Sequence, residues 1–482
     1  MSSTTTKYDA LIIGSGQAGT PLSVAFAKSG KKTALIESVH IGGCCVNEGC
    51  TPTKTMIASG RVAYLMRRGI EYGISGLADA QGSHGENGVV VDMARVRQRK
   101  REIVNSFRGG NEKRVKDAGV DIFMGKGSFI DSKTVKVQMN DGTERVVEGE
   151  RIFVNVGERP APPDLEGLDG IERTRVLDST SIQELDVVPE HLVIIGGGYV
   201  GVEFAQLFSR LGARVTVVQR GKQLLLREDR EVAKCLRHIL EEDGVVFKLE
   251  SMATSIASST TEAFELKVQT KDSQETILGS HILFAAGRIP NTETLNLGKA
   301  GISTNSRGHI LTDEFLETSA PGIYGLGDVT GPPAFTHASY DDFRIIQKNL
   351  ITAPEAAVKS STKDRVVPYV VYTDPQLGHI GLHEHEARSK YPEKTIKTAK
   401  MPMSYVARAL ETDESGGMMK AVIDGETSQI LGFTCLGIEG GEVMSIVQMA
   451  MMGGVSYEKL RDAIWAHPAL AESLNNIWGF LE

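Results

Sequence analysis

One pattern occurs twice in this chain and leaves little freedom about its fold. An apolar strand runs into a glycine-rich turn, an amphipathic helix follows, and a second apolar strand closes the unit. The first copy reads Tyr8-Asp-Ala-Leu-Ile-Ile13, then Gly14-Ser-Gly16-Gln-Ala-Gly19, a helix expected over Pro21 to Ser29, and Thr33-Ala-Leu-Ile36 ending at Glu37. The second reads His191-Leu-Val-Ile-Ile195, then Gly196-Gly-Gly198-Tyr-Val-Gly201, a helix expected over Val202 to Leu211, and Val215-Thr-Val-Val218. Glycines permit the tight turn and a close approach of backbone to a pyrophosphate. The helix N-terminus attracts the anion, and an acid at the second strand's end takes a ribose hydroxyl. The fold expected is α/β with two Rossmann-like dinucleotide-binding domains.

The two copies differ where the ribose would lie. The first ends in Glu37, the second in Gln219-Arg220, with Lys222 and Arg227 close behind. An acid repels a 2′-phosphate and an arginine pairs with it, so the second site leans towards NADPH, with NADH still possible. The other reading of these cations is a solvated loop. Two such sites in one chain suggest a flavoprotein that holds FAD at one and exchanges a nicotinamide at the other. Ile152-Phe-Val-Asn-Val-Gly157-Glu-Arg159-Pro160 and Ile282-Leu-Phe-Ala-Ala-Gly287-Arg288-Ile-Pro290 are similar strand-to-turn segments placed as crossovers on either side of the second unit. Gly322-Ile-Tyr-Gly-Leu-Gly327-Asp328 sets an acid after a short apolar strand, where it could accept hydrogen bonds from a flavin's ribityl chain.

At 482 residues the chain needs two to four domains. Its formal charge of -8 argues against a nucleic-acid partner, which would want a basic face. No apolar run approaches the roughly 20 residues needed to span a bilayer. The start, MSSTTTKYDALIIG, lacks the layout of a signal peptide. Five cysteines in so long a chain do not make a disulfide-stapled secreted fold, and the expected setting is the cytoplasm. The Gly/Ser-rich stretch from Ser75 to Val89 reads as a surface loop between helices.

Three of those cysteines crowd into Gly42-Gly-Cys44-Cys45-Val-Asn-Glu-Gly49-Cys50-Thr-Pro-Thr-Lys54. Thr51-Pro52 resembles an N-cap and first helical position, which sets Cys50 at a helix start, where partial positive charge favours a thiolate. Positions five apart on a regular helix point about 140° away from each other at about 100° per residue. A disulfide between Cys45 and Cys50 therefore needs a distorted turn, which Gly49 permits. Zinc usually wants four ligands in paired short spacings, and no second Cys or His cluster accompanies this one; His383 and His385 lie on a polar stretch that reads as surface. Redox chemistry is the better reading, and no metal is assigned.

Across nearly the whole chain these motifs, GSGQAG, GGCCVNEGCTPTK, GGGYVGVEF, AAGRIPN, IYGLGDV and AHPALAE, resemble the pyridine nucleotide-disulfide oxidoreductases, the family of lipoamide dehydrogenase, glutathione reductase and mercuric reductase. The resemblance implies an FAD-binding domain in two parts (1–155 and 285–360), an NAD(P)H-binding domain between them (156–284) and a C-terminal α+β dimerisation domain (361–482). It implies that Cys50 is the cysteine nearest the flavin, whose thiolate gives a charge-transfer complex, and Cys45 the interchange thiol. Lys54 would lie by the flavin's central nitrogen, paired with Glu203. Tyr199 would cover the flavin until nicotinamide displaces it, and Asp328 would bind the flavin. Gly14, Gly16, Gly19, Glu37, Gly43, Cys44, Gly157, Gly287 and Arg288 would line the flavin side, and Gly196, Gly198, Gly201, Arg220 and Arg227 the nicotinamide side. His467, oriented by Glu472 as a carboxylate orients the histidine of a triad, would take and return a proton at the partner subunit's disulfide in a homodimer.

The implied reaction runs from NADPH through FAD and a Cys45–Cys50 disulfide to a disulfide or a soft-metal acceptor. Two departures bear on the acceptor. Cys44 stands where the family usually has threonine, either as a small residue near the flavin phosphates or as a third thiol that holds a soft cation or resolves a mixed disulfide. The C-terminal cysteine pair of mercuric reductases is not found here. A diaphorase passing electrons to quinones or to Cu(II) or Hg(II), with idle cysteines, and a flavin-bound redox sensor without turnover are the alternatives.

Overall fold

Alanine, leucine and isoleucine run without interruption over the second half of the strand Thr6–Ile13, from Ala10 to Ile13, as a parallel strand covered on both faces requires. The computed structural model describes residues 5–74, 89–260 and 263–482, and these form two compact units. All but Val89 of the loop expected from Ser75 to Val89 lies outside the described residues. The first unit gathers the residues up to Thr55, Arg97–Pro162 and Gly287–Arg365. In its sheet Thr6–Ile13 pairs in parallel with Thr33–Glu37 on one side and with Glu144–Val154 on the other, and Ile323–Gly325 adds a further parallel strand. Strand Asp121–Phe129 lies parallel to Thr33–Glu37 through Met124, then turns antiparallel to Thr134–Met139 from Gly125 onward.

Alternate residues of the central strand serve the two faces. Ala10 and Ile12 pack with Leu22 and Phe26 of the helix Gly19–Lys28. Leu11 and Ile13 pack with Val135, Val137 and Ile310 on the opposite side. The helix starts at Gly19, two residues before the expected Pro21. Pro21 falls in the first turn, where its missing N–H leaves no bond unmade.

The second unit joins the described parts of Met56–Val96 to Pro163–Ala286 and Val366–Glu482. Its nucleotide fold repeats the parallel plan: Val245–Lys248, Arg214–Val218, His191–Ile195, His281–Phe284 and Val176–Leu177 lie in that order. The helix here is Tyr199–Leu211 rather than Val202–Leu211, so Tyr199 is its first residue. The C-terminal segment forms an antiparallel sheet ordered Tyr369–Val371, Gln376–Gly381, Ile430–Gly437, Met418–Asp424 and Ile396–Pro402. Helix Gly440–Met452 packs on it through Val443, Met444 and Val447, spaced three and four apart. Its methionines divide: Met444 is buried, whereas Met449 and Met452 are exposed.

Phe433, fully enclosed in this C-terminal core, sets a stability test. Phe433→Ala is expected to cost about 3–5 kcal/mol and to lower the thermal unfolding temperature. Val358→Ala, on an exposed loop, is expected to change stability by less than about 0.5 kcal/mol.

Candidate active site

The first nucleotide loop is shaped by backbone contact. A Cβ on Gly14 would stand 2.3 Å from the Asn155 carbonyl oxygen, and one on Gly19 would stand 2.1 Å from that of Gly14. Both are closer than any carbon can approach, so the turn needs glycine at each place. Side chains then tie the loop down. Glu37 accepts from the Ser15 N–H at 3.0 Å and from its hydroxyl at 2.5 Å. Asn155, deep in the fold, accepts from the Gly19 N–H at 2.9 Å and donates to the Leu326 carbonyl at 2.7 Å. The Gly42 N–H reaches the Ser15 hydroxyl at 3.0 Å. A Cβ on Gly43 would meet the Gly16 Cα at 2.5 Å, which brings the cysteine segment directly onto the loop.

That segment is two helices. Cys44 and Cys45 lie in the short helix Gly43–Asn47, and Cys50 is the first residue of Cys50–Arg67. The expected cap at Thr51 is displaced: Thr51 and Pro52 lie inside the first turn, and Glu48-Gly49 forms the break. The break resolves the angular problem of positions five apart, because the two thiols no longer share a helix. The Cys45 thiol is hydrogen-bonded to Cys50. This bond first, then burial and the negative field of Cys50, push the Cys45 thiol well above its ordinary range. Thr336, at the start of helix Thr336–Gln347, places its hydroxyl 3.3 Å from the Cys50 Sγ. Lys54 sits one turn on from Cys50, on the same helix face.

Around the thiols stand the residues of the two crossover segments. Glu158–Pro160 and Arg288–Pro290 pair as antiparallel strands, beside the positive-φ residues Gly157 and Gly287. Arg288 donates to the Glu158 carbonyl at 2.7 Å and lies 3.8 Å from the Cys44 Sγ. His309 Nε2 is 2.7 Å from Glu158 Oε1. Asp328 follows strand Ile323–Gly325; burial pushes its carboxyl up to about 6, with the Arg288 charge pulling the other way. Asn155, Thr336 and Glu158 are the parts the sequence reading did not assign. Asn155 and Glu158 lie inside a quoted motif, and the signal was the contrast with the second repeat, which has Ala285 and Arg288 at those places.

In the second unit a Cβ on Gly201 would lie 2.0 Å from the Gly196 carbonyl oxygen, whereas Gly198 faces open space. Gln219 Oε1 accepts from the Gly197 N–H at 3.1 Å. Gln219 is therefore the counterpart of Glu37, a neutral amide where the first site has a carboxylate. Arg220, Lys222 and Arg227 are exposed beside it. Tyr199 stacks on Tyr369 with ring centroids 5.4 Å apart. Glu203, buried, accepts from the Tyr372 N–H at 2.8 Å. His467 Nδ1 lies 2.9 and 3.1 Å from the two Glu472 oxygens. That contact requires the proton on Nδ1 and leaves Nε2 to exchange protons. His383 departs from expectation: it is buried and stacked on His379, with only His385 exposed.

The Asp328 carboxyl yields a pH test. Its folded value, about 6, lies above the ordinary 3.8. The stabilisation is therefore present at acid pH and lost as pH rises through about 6. In protein freed of any bound nucleotide, Asp328→Asn is expected to abolish that part of the stability slope between about pH 4 and pH 6, read by denaturant unfolding at each pH.

The family model described as pyridine nucleotide-disulphide oxidoreductase matches residues 8–343. The model of the same family's dimerisation domain matches residues 367–477. The probable pyridine nucleotide-disulfide oxidoreductase RclA of Escherichia coli is 35% identical over 99% of this chain and 100% of its own length. A mercuric reductase of Staphylococcus aureus is 32% identical over 97% of this chain and 81% of its own. A solved structure described as the Cu(II) complex of HOCl-induced flavoprotein disulfide reductase RclA from E. coli superposes with a TM-score of 0.86 at 34% identity, covering 98% of this chain and 99% of that one. With both family models matched in order over nearly its whole length, the chain belongs to the class I pyridine nucleotide-disulfide oxidoreductases and is an enzyme of that family.

Proposed function

We propose that this enzyme passes electrons from NADPH through FAD and the Cys45–Cys50 pair to a disulfide or a soft-metal acceptor. The observation that carries the reading is the hydrogen-bonded thiol pair, Cys45 within the short helix Gly43–Asn47 and Cys50 at the start of the next helix, beside the first nucleotide loop. The residues present fit FAD. The glycine loop admits a pyrophosphate, Glu37 stands where a ribose is taken, and Asp328 offers a carboxylate for the ribityl chain. When bound, FAD accepts hydride from the nicotinamide and returns the electron pair to the cysteine disulfide.

The chain's own groups do the rest. The helix that begins at Cys50 directs partial positive charge at that sulfur and favours an anion there. Cys45, whose thiol is pushed well above its ordinary range by its hydrogen bond to Cys50, by burial and by the Cys50 field, needs a base before it attacks. His467 supplies one through Nε2, while Glu472 holds the ring and stabilises the imidazolium. The matched dimerisation domain supports a homodimer in which this pair serves the partner subunit's disulfide. In the same reading Lys54 serves the flavin side, and Tyr199 covers the flavin until nicotinamide displaces it.

NADPH is favoured over NADH by Gln219. A carboxylate there would repel a 2′-phosphate; the amide does not, and Arg220 and Arg227 stand exposed nearby. The acceptor class follows the relatives' own descriptions, one a mercuric reductase and one a disulfide reductase held with Cu(II). Thiolates bind both kinds of acceptor through sulfur.

An anaerobic NADPH titration followed by visible absorbance tests the reading. Wild-type protein is expected to show a long-wavelength thiolate–flavin band that Cys50→Ser lacks. Identical bleaching in both would replace the reading with a diaphorase whose cysteines are idle. Arg220→Ala with Arg227→Ala is expected to raise KM for NADPH roughly tenfold to hundredfold, the loss expected for charge-assisted bonds, with KM for NADH unchanged. Equal loss with both nucleotides would assign these cations to the loop alone.

A further inference from the structure

Behind Tyr199 lies a buried polar cluster that the reaction above does not use. Glu228, His379 and His383 bring ligand-type atoms within 4.8 Å of one another, so a metal centre is the first possibility. The hydrogen bonds oppose it. His379 Nε2 is 3.1 Å from the Gly381 carbonyl, which only accepts, so Nε2 carries the hydrogen. Burial pulls the His379 value down to about 3 and keeps the ring neutral. Its Nδ1, 2.8 Å from the Thr434 hydroxyl, then accepts that proton. Both nitrogens are committed. The His379 and His383 rings also lie parallel to within 14°, with centroids 3.8 Å apart, so one ion cannot lie in the plane of both.

The same cluster reads well as a directed chain of hydrogen bonds. The Tyr369 hydroxyl donates to Glu228 Oε1 at 2.6 Å. Having given its one proton there, it accepts from His383 Nε2 at 3.1 Å. The Tyr199 hydroxyl donates to the same Glu228 oxygen at 3.4 Å, and its ring stacks on Tyr369. Tyr199 is thus held twice, at its face by Tyr369 and at its tip by Glu228. Glu228 is itself enclosed, with its side chain wholly shielded from solvent.

We propose that Glu228 and Tyr369 form a clamp that fixes the Tyr199 ring and so sets how easily a nicotinamide takes its place, with His383 anchoring Tyr369 from behind. The proposal rests on the reading above in which Tyr199 covers the flavin until nicotinamide displaces it. A ring that must be displaced carries its restraints into the binding step. The stack and the hydrogen bond are lost before nicotinamide is seated, and nothing of them enters the chemistry afterwards. Both residues therefore act on KM for the nucleotide and not on kcat.

The test uses the flavin-loaded enzyme and NADPH, with steady-state kinetics on Glu228→Gln, Tyr369→Phe and Tyr199→Ala, singly and combined. Glu228→Gln keeps the shape and Tyr369→Phe loses only a hydroxyl, so either one carries the test if the other fails to fold. Each is expected to lower KM for NADPH by about threefold or more, with kcat within about twofold. In the Tyr199→Ala background neither is expected to add anything, because the clamp has nothing left to hold. If Tyr199→Ala shifts KM while the other two do not, or if they shift it equally with Tyr199 absent, the clamp is overturned and the covering role stands. If Tyr199→Ala itself leaves KM unchanged, the covering role fails and the clamp fails with it.

Discussion

Each nucleotide fold depends on one steric constraint. Where the first helix leaves the first strand, backbone lies so close to backbone that no Cβ fits, at 2.1 Å in the first loop and 2.0 Å in the second. From that contact follow the helix start, the direction of its N-terminal amides and the place left for a pyrophosphate. The two loops share the constraint and differ in how they are tied. Ser15, Glu37 and Asn155 bind the first from several sides. The second has Gln219 on the Gly197 N–H, and Ala285 where the first has Asn155. A loop tied on several sides suits a group that stays. A loop with fewer ties suits one that binds and leaves on every turnover.

The cysteine segment inherits its position from the same loop. Gly43 lies against Gly16 too closely for a side chain, so the helix that follows starts from a fixed point. The break at Glu48-Gly49 then lets a second helix begin at Cys50 with its thiol turned back towards Cys45. A continuous helix would have held the two sulfurs on different sides. The break costs backbone hydrogen bonds, which the Glu48 and Gly49 N–H groups recover by sharing the Cys44 carbonyl at 2.8 and 2.7 Å.

Strands, loops and thiols were legible in the sequence because each is local: period, glycine spacing and cysteine spacing act within about 30 residues. Helix starts were misplaced by two or three residues at Gly19 and Tyr199, and the cap expected at Thr51 lies two residues past the Gly49 that precedes the helix. In each case a residue expected to precede or open the helix fits within its first turn, where amides need no partner inside the helix. What could not be read were contacts between distant segments. Asn155 meets Gly19, and Thr336 meets Cys50. His383 read as surface because its neighbours in sequence are charged. Those charges have buried partners: Lys420, itself almost wholly enclosed, takes Glu384 at 2.8 Å.

That lysine explains how so polar an interior holds its shape. Lys420 Nζ meets Asp229 at 2.8 Å, Glu231 at 2.7 Å and Glu384 at 2.8 Å. Buried ion pairs add little net stability, but losing one member strands a charge and is costly. Their effect is to admit one arrangement and penalise the others. Asp229 adjoins Glu228, so a turn pinned at Asp229 leaves the next carboxylate little room to move. With burial pushing the Glu228 carboxyl above the usual carboxylate range, only donors set in advance can keep it a good acceptor. Tyr369 and Tyr199 are those donors, and the order of the tyrosine pair follows from an ammonium ion that touches neither.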